Sequence, residues 1–125
     1  MQHLLKNGPD HVRQILYIIL EKNFVSFSMT KCGSHVTEKA MIYSSNQFKF
    51  SIFQRLKQVN AFTGDFFFFQ LMDDKFGNYV LQKLFENSDS KLQNEIFNLV
   101  QKSDIYRWKQ SKYGFFFCLL KLIFK

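Results

Sequence analysis

Apolar residues recur along the chain at intervals of three and four residues, which is the spacing of one face of an α-helix. In residues 10–21 the apolar positions include Val12, Ile15, Leu16 and Ile19. The same spacing predicts helices at residues 24–30, 33–44, 47–59, 65–73 and 76–87, and a further helix that begins near Ser90. No segment alternates convincingly between apolar and polar residues, as a half-buried strand does. The pattern therefore predicts an all-α fold.

Local signals mark two of the helix boundaries. Ser90 and Gln93 stand at capping-box spacing, so Ser90 is predicted to cap the helix that follows it. Asp73 and Asp74 are adjacent, which places their side chains on different faces of a helix. They are therefore interpreted as the end of the short helix at residues 65–73 and not as an acid–base pair.

A repeated motif organises these helices. Three segments align without gaps: KCGSHVTEKAM, KFGNYVLQKLF and KYGFFFCLLKL. Each segment begins with a Lys two residues before a Gly, at Lys31, Lys75 and Lys112. Each also has an aromatic ring two residues after that Gly, at His35, Tyr79 and Phe116. The Gly-to-Gly spacings, 44 and 37 residues, fit helical repeat units, so the motif predicts a stacked α-solenoid.

Several other residues are assigned to packing and not to a site. The runs Phe66–Phe69 and Phe115–Phe117 are interpreted as buried segments, because short buried helices in a solenoid are apolar nearly all round. Cys32 is interpreted as a small residue packed between repeats. Cys118 lies far from it along the chain, so neither a disulfide framework nor a zinc site is indicated.

Composition narrows the functional classes only in part. The chain has 125 residues, enough for one domain or a piece of one, and a formal charge of +7. This charge fits an anionic partner such as nucleic acid, although other basic proteins share it. No apolar run approaches the ~18 residues of a membrane span. Neither metal-ligand spacing of the His residues nor a catalytic motif is present, so we expect no enzyme activity, cofactor or small-molecule substrate.

Two polar pairs stand at positions i and i+4 of the motif helices, where side chains share one face. Ser34 pairs with Glu38, and Asn78 pairs with Gln82. A carboxylate only accepts hydrogen bonds, which suits the two adjacent donors of guanine, whereas carboxamides can complement the donor and acceptor of uracil. Together with the ring of the neighbouring aromatic residue, each pair could recognise an unpaired RNA base by edge and face. Such pairs often simply face water, but their recurrence at one offset from the Gly favours recognition.

The segments GSHVTEK and FGNYVLQK resemble the third-helix motifs of Pumilio-type (PUF) repeats, in which the first, second and fifth motif residues recognise and stack a base. The resemblance implies a right-handed α-solenoid of three-helix repeats, similar to an ARM/HEAT superhelix and here a partial array. It implies that Ser34 and Glu38 bond guanine and that Asn78 and Gln82 bond uracil. These four side chains are then expected to face outward along one continuous concave wall.

The resemblance also assigns the stacking residues and the order of the units. Guanine would lie between His35 and Tyr79, and uracil between Tyr79 and Phe116. The implied organisation is the end of a preceding repeat at 1–8, a guanine-type repeat at 9–45, a uracil-type repeat at 46–88 and a degenerate capping repeat at 89–125. Phe115 and Leu119 occupy the recognition positions of the last unit and cannot hydrogen-bond a base edge. Because family members bind RNA antiparallel, the array is expected to hold 5′-U-G.

The implied function is binding of single-stranded mRNA at U-G-U elements of 3′ untranslated regions, with control of mRNA stability or translation through protein co-repressors in the cytoplasm. The candidates for phosphate contacts are Lys31, Lys39, Lys75, Lys83 and Lys112, which could equally be solvated helix ends. Two alternatives stay open. One is a nucleolar relative that acts in ribosome assembly with low sequence specificity, and the other is a helical-repeat scaffold for proteins.

Overall fold

The structure, a computed structural model, describes residues 10–101 of the chain. Seven helices follow one another in this segment: α1 (Asp10–Lys22), α2 (Phe24–Ser28), α3 (Lys31–Tyr43), α4 (Asn46–Leu56), α5 (Phe67–Met72), α6 (Gly77–Glu86) and α7 (Ser90–Gln101). Extended pairing in the described segment is limited to one isolated bridge between Val59 and Phe66. The prediction of an all-α fold is confirmed, and the helix bounds agree with the predicted ones to within three residues.

The helices form two successive units of a long, a short and a long helix, and α7 opens a third. The motif helices α3 and α6 pack against each other, α2 packs on α3, and α5 packs on α6. Stacking of equivalent elements from neighbouring units is the arrangement of a helical repeat solenoid. Among the described helices, none combines the length and the apolar composition that crossing a membrane requires.

One apolar core runs through both units, so neither unit buries its hydrophobic face alone. Its largest fully buried side chains include Leu20 of α1, Met41 of α3, Phe53 of α4 and Phe68 of α5. The rings of Phe53 and Phe68 meet edge to face, with centroids 6.0 Å apart. Within the run Phe66–Phe69, Phe68 is fully buried and the other three rings are half-buried against the core. The assignment of this run to packing is confirmed.

The repeated glycines allow each motif helix to begin directly against the short helix before it. A Cβ atom at Gly77 would lie 2.9 Å from the carbonyl oxygen of Leu71. A Cβ atom at Gly33 would clash with the carbonyl oxygen of Phe27 and with Thr30 Oγ1. Both contacts are closer than a side chain tolerates, so the 44-residue recurrence of Gly reflects a packing requirement of the repeat.

Two predictions made from the sequence are wrong. Cys32 is exposed and not packed between repeats, because Gly33, one position further round the helix, occupies the contact with α2. Ser90 does not cap α7. Asp89 does, since its Oδ1 accepts from the Leu92 N–H at 2.9 Å, and an anionic acceptor suits the positive end of a helix. The Gln93 amide donates instead to the Phe85 carbonyl at 2.8 Å.

The first helices of the two units are joined by a carboxylate. Glu21 Oε1 on α1 accepts hydrogen bonds from Ser51 Oγ at 2.5 Å and from Arg55 Nε at 3.2 Å, both on α4. The Ser51 hydrogen bond, followed by the bond and charge of Arg55, lowers the pKa of Glu21 despite the opposing effect of burial. The ionised form of Glu21 is therefore stabilised by folding.

We expect Glu21→Gln to lower the free energy of unfolding at pH 7 by up to about 1 kcal/mol, the range of partly exposed ion pairs. A carboxyl whose pKa is lowered by folding stabilises the protein above its unfolded pKa and loses this contribution as the pH falls through the folded pKa. Urea unfolding of both proteins at pH 7 and pH 3 measures this, and the difference in the free energy of unfolding should be smaller at pH 3. An equal difference at both pH values would contradict the assignment.

Candidate nucleic-acid interface

The uracil-type unit presents its candidate residues on the first two turns of α6. The Asp74 carboxylate accepts from the backbone N–H groups of Phe76 and Gly77, at 2.9 and 2.8 Å, and so caps the start of the helix. Asn78, one turn further on, is only 4% exposed. Its Nδ2 donates to the carbonyl oxygens of Asp74 at 2.7 Å and Lys75 at 3.0 Å. The nitrogen of this amide is thus held by two backbone acceptors.

The second carboxamide of this unit is bonded to the first. Gln82 Nε2 donates to Asn78 Oδ1 at 3.1 Å. The bond leaves the Gln82 Oε1, its second N–H and one lone pair of Asn78 Oδ1 for another partner. Tyr79 stands beside the pair with 56% of its surface exposed. The unit therefore combines unpaired hydrogen-bonding capacity with an accessible aromatic face.

The guanine-type unit has an equivalent start on α3. Thr30 Oγ1 accepts from the Gly33 N–H at 3.0 Å, as Asp74 does from Gly77 in the other unit. Ser34 is 3% exposed, and its Oγ donates to the Lys31 carbonyl at 3.0 Å. His35 Nδ1 lies 3.4 Å from Glu38 Oε2, with the His35 side chain 62% exposed and that of Glu38 21% exposed.

The expectation that all four polar side chains face outward is wrong for Ser34 and Asn78. Both are buried, on two helices that pack against each other. The physical reason is that short polar side chains in the first turn of a helix can bond the preceding carbonyls, and both residues do so. Glu38 and Gln82 are half-buried and reach the surface, while His35 and Tyr79 are exposed.

The two polar pairs differ in their hydrogen bonds. Asn78 and Gln82 are directly bonded, whereas Glu38 contacts His35 and Ser34 bonds the backbone. Packing of α3 along α6 makes the two sets neighbours on adjacent repeats. Phe116, the third stacking candidate, lies outside the described residues, and so does Lys112.

The four candidate lysines within the described residues fit both interpretations, phosphate contacts and solvated helix ends. Lys31 and Lys75 are exposed, and Lys39 and Lys83 are half-buried. Lys75 Nζ lies 5.4 Å from the centroid of the Phe76 ring, and Lys83 Nζ lies 3.5 Å from Glu86 Oε2. These are local contacts of solvated helix surfaces, which leave the ammonium groups accessible to an anion.

Two residues of this surface were missed by sequence analysis, namely Thr30 and Asp74. Both stand three residues before the repeated Gly and cap the motif helix. The signal was present, because a residue of N-cap type recurs at the same 44-residue spacing as the Gly. Thr30 and Asp74 each stand one residue before an aligned segment. Over residues 10–101, no three His, Cys, Asp or Glu side chains gather in a way that could hold a metal ion.

Comparison with known proteins supports the repeat fold described above. The family model described as "Pumilio-family RNA binding repeat" matches residues 23–57 and 68–100, together more than half of the chain. No curated protein sequence matches the chain. Among solved structures, the crystal structure of PUF-8 in complex with PBE-RNA is similar, with a TM-score of 0.82 and 26% identity. The match covers 97% of this chain and 34% of the PUF-8 chain, so this chain spans about a third of that length. The chain belongs to the Pumilio (PUF) family of repeat proteins.

Proposed function

We propose that the chain is a sequence-specific, single-stranded RNA-binding module that recognises one base with each motif helix and acts without catalysis. The single observation that carries the proposal is the bonded Asn78–Gln82 pair beside the exposed Tyr79 ring. An exposed ring offers a stacking face, worth about 1–3 kcal/mol per base. A carboxamide pair with free donor and acceptor sites supplies the selectivity that stacking lacks.

Uracil fits the groups that the uracil-type unit leaves unpaired. Its N3–H would donate to the second lone pair of Asn78 Oδ1, and one uracil carbonyl would accept the second N–H of Gln82. Asn78 is nearly covered by neighbouring side chains, so the base must approach closely along the Gln82 side chain. Gln82, which is half-buried, is therefore the principal contact in this proposal.

Guanine fits the guanine-type unit. The Glu38 carboxylate can accept from the adjacent N1–H and N2–H₂ of guanine, because a carboxylate has about four lone-pair sites and the His35 contact occupies only one oxygen. Ser34 Oγ donates to the Lys31 carbonyl and so keeps its acceptor lone pairs for another partner. The imidazole of His35 is exposed enough to stack on the base.

In this proposal the two units together bind the dinucleotide 5′-U-G, with uracil on α6 and guanine on α3. The PUF-8 structure that resembles this chain is a complex with PBE-RNA, which supports RNA as the ligand class. The proposed organisation is the end of a preceding repeat at residues 1–8, a guanine-type repeat at 9–45, a uracil-type repeat at 46–88 and a capping repeat at 89–125. Control of mRNA stability or translation in the cytoplasm, with protein co-repressors, is the proposed biological role.

The positive charge of the chain fits RNA binding, and the salt dependence of the affinity tests this. The formal charge is +7, and lysines flank both recognition pairs at Lys31, Lys39, Lys75 and Lys83. Neutralising phosphates releases counterions, so the affinity should fall as the salt concentration rises. Phosphate contacts position the strand without choosing its sequence, whereas the base-edge pairs choose it.

A protein scaffold is the second candidate function. Phe62, in the connection between α4 and α5, has 98% of its surface exposed, and Val59 in the same connection is 55% exposed. Exposed apolar residues of this kind are available to a protein partner. Association that survives nuclease treatment would favour the scaffold, and association that requires RNA would favour the first proposal.

We expect Gln82→Ala and Asn78→Ala to weaken binding of a uracil-containing oligonucleotide by about 1–3 kcal/mol each, the range for a base-edge pair. Fluorescence anisotropy with 5′-U-G and 5′-C-G oligonucleotides measures the loss. Gln54→Ala is the matched control, because it removes an exposed carboxamide from α4. Loss of affinity that is equal for the two oligonucleotides, or equal in the Gln54 variant, would contradict uracil recognition by this pair.

A further inference from the structure

We propose that Asp74 is a positioning residue that sets the selectivity of α6 for uracil over cytosine, although it touches no base. The inference rests on the proposed function of the Asn78–Gln82 pair. It follows from a chain of hydrogen bonds that runs from the Asp74 carboxylate to the Gln82 amide through the first turn of the helix.

The first link fixes the backbone. Asp74 Oδ2 accepts from the N–H groups of both Phe76 and Gly77, at 2.9 and 2.8 Å. These N–H groups belong to the start of the helix, where no intrahelical carbonyl is available to them. The carboxylate therefore holds the Asp74–Gly77 turn in one conformation and places the carbonyls of Asp74 and Lys75 beside the first turn of α6.

The second link fixes the amide of Asn78. Its Nδ2 donates to the carbonyl oxygens of both Asp74 and Lys75, so the nitrogen end of the amide faces the backbone. Its Oδ1 must then point the other way, toward Gln82 Nε2 at 3.1 Å. Two backbone acceptors thus determine which end of the Asn78 carboxamide is available to Gln82 and to a ligand.

The orientation matters because uracil and cytosine differ at ring position 3. Uracil has an N3–H donor there, and cytosine has an unprotonated N3 acceptor. With the ring position set by stacking on Tyr79, a fixed Asn78 Oδ1 accepts from uracil and opposes the cytosine lone pair. An amide free to turn over could present N–H instead and accept cytosine as well. Rejection of the wrong base therefore depends on holding the amide still.

The other unit supports this assignment. Thr30 occupies the equivalent position on α3, and its Oγ1 accepts from the Gly33 N–H at 3.0 Å. The counterpart of Asn78 on α3 is Ser34. Its hydroxyl group can rotate and, unlike a carboxamide, has no separate donor and acceptor ends that must be oriented. Within the described part of the chain, a chain of hydrogen bonds from a helix cap to a carboxamide is thus found only in the unit that contains Asp74.

The test compares Asp74→Ala, Asp74→Asn, Asp74→Thr and wild type for binding of 5′-U-G, 5′-C-G and 5′-U-A oligonucleotides by anisotropy. Asp74→Ala should reduce the uracil-over-cytosine affinity ratio by about fivefold or more, leaving the guanine-over-adenine ratio within about twofold of wild type. Asp74→Thr, which copies Thr30, should keep most of the ratio. Asp74→Asn keeps one acceptor oxygen, so it should give an intermediate ratio and serves if the alanine variant fails to fold.

Asp89→Ala is the matched control, because Asp89 caps α7 through the Leu92 N–H at 2.9 Å and takes no part in the hydrogen bonds that link Asp74 to Gln82. It should lower the melting temperature much as Asp74→Ala does and leave both base ratios unchanged. The inference is overturned if the Ala and Asn variants of Asp74 keep the wild-type uracil-over-cytosine ratio. A wild-type protein with no base preference would instead refute the proposed function itself.

Discussion

Phe53→Ala should lower the free energy of unfolding by about 3–5 kcal/mol, the range for truncating a buried aromatic residue. Phe53 is 1% exposed and meets Phe68 edge to face at 6.0 Å, so its removal opens a cavity in the core shared by the two units. Neighbouring helices can close such a space only in part. Urea unfolding followed by circular dichroism gives the change in free energy directly.

Phe62→Ala is the control for this substitution. It removes the same atoms from a side chain that is 98% exposed, so we expect a change within about 0.5 kcal/mol of zero. If the two alanine variants differed by less than about 1 kcal/mol, the shared core would not hold the units together as the structure indicates.

Glu38→Gln should remove about 1–3 kcal/mol of preference for guanine over adenine at the second position of a 5′-U-G oligonucleotide. The substitution keeps the size and position of the side chain but replaces one acceptor oxygen by an NH₂ donor, which opposes the donors of guanine. The 3.4 Å contact with His35 is also weakened, which loosens the glutamine relative to the carboxylate. Anisotropy with 5′-U-G and 5′-U-A oligonucleotides at one salt concentration measures the preference.

Glu86→Gln makes the same chemical change on the other motif helix. Glu86 is exposed and lies 3.5 Å from Lys83, so this variant also loses a local ion pair and one negative charge. It should raise affinity slightly for every oligonucleotide through charge alone and leave the guanine preference intact. A guanine preference that fell equally in both variants would show that net charge, and not the Glu38 edge, produces it.

The repeat was predictable because it depends on residues with few substitutes. Gly33 and Gly77 lie too close to the preceding helix for any side chain, so their recurrence is visible in the sequence as a fixed interval. The helix positions followed from apolar spacing, since Leu20, Ile52 and Leu84 each face one core. These features are local in sequence and uniform in cause.

The burial of Ser34 and Asn78 was not predictable from spacing alone. Helical periodicity places each residue on the same face as its partner four positions later, but it does not say how deep that face lies. The depth depends on how helices distant in sequence pack together, as α3 and α6 do. The short side chains of Ser34 and Asn78 bond the nearest carbonyls, whereas the longer Glu38 and Gln82 extend to the surface.

The helix starts show a similar division. Capping-box spacing predicts Ser90 as the cap of α7, but Asp89 performs that role. The adjacent Asp73 and Asp74 predict only the end of a short helix, but Asp74 also caps α6. Residues that favour caps stand side by side at both places, Ser88 to Ser90 at one and Asp73 with Asp74 at the other, and propensity ranks them as nearly equal. Which one caps is decided by where the preceding turn leaves the chain, and this is a property of the folded repeat.

The most direct test measures the affinity of the chain for 5′-U-G and 5′-A-A oligonucleotides by fluorescence anisotropy at one fixed salt concentration. If Ser34, Glu38, Asn78 and Gln82 recognise base edges, 5′-U-G should bind at least about tenfold more tightly, since each edge contributes about 1–3 kcal/mol. Equal affinity for the two oligonucleotides would contradict base recognition by these helices and would leave only binding through charge and stacking.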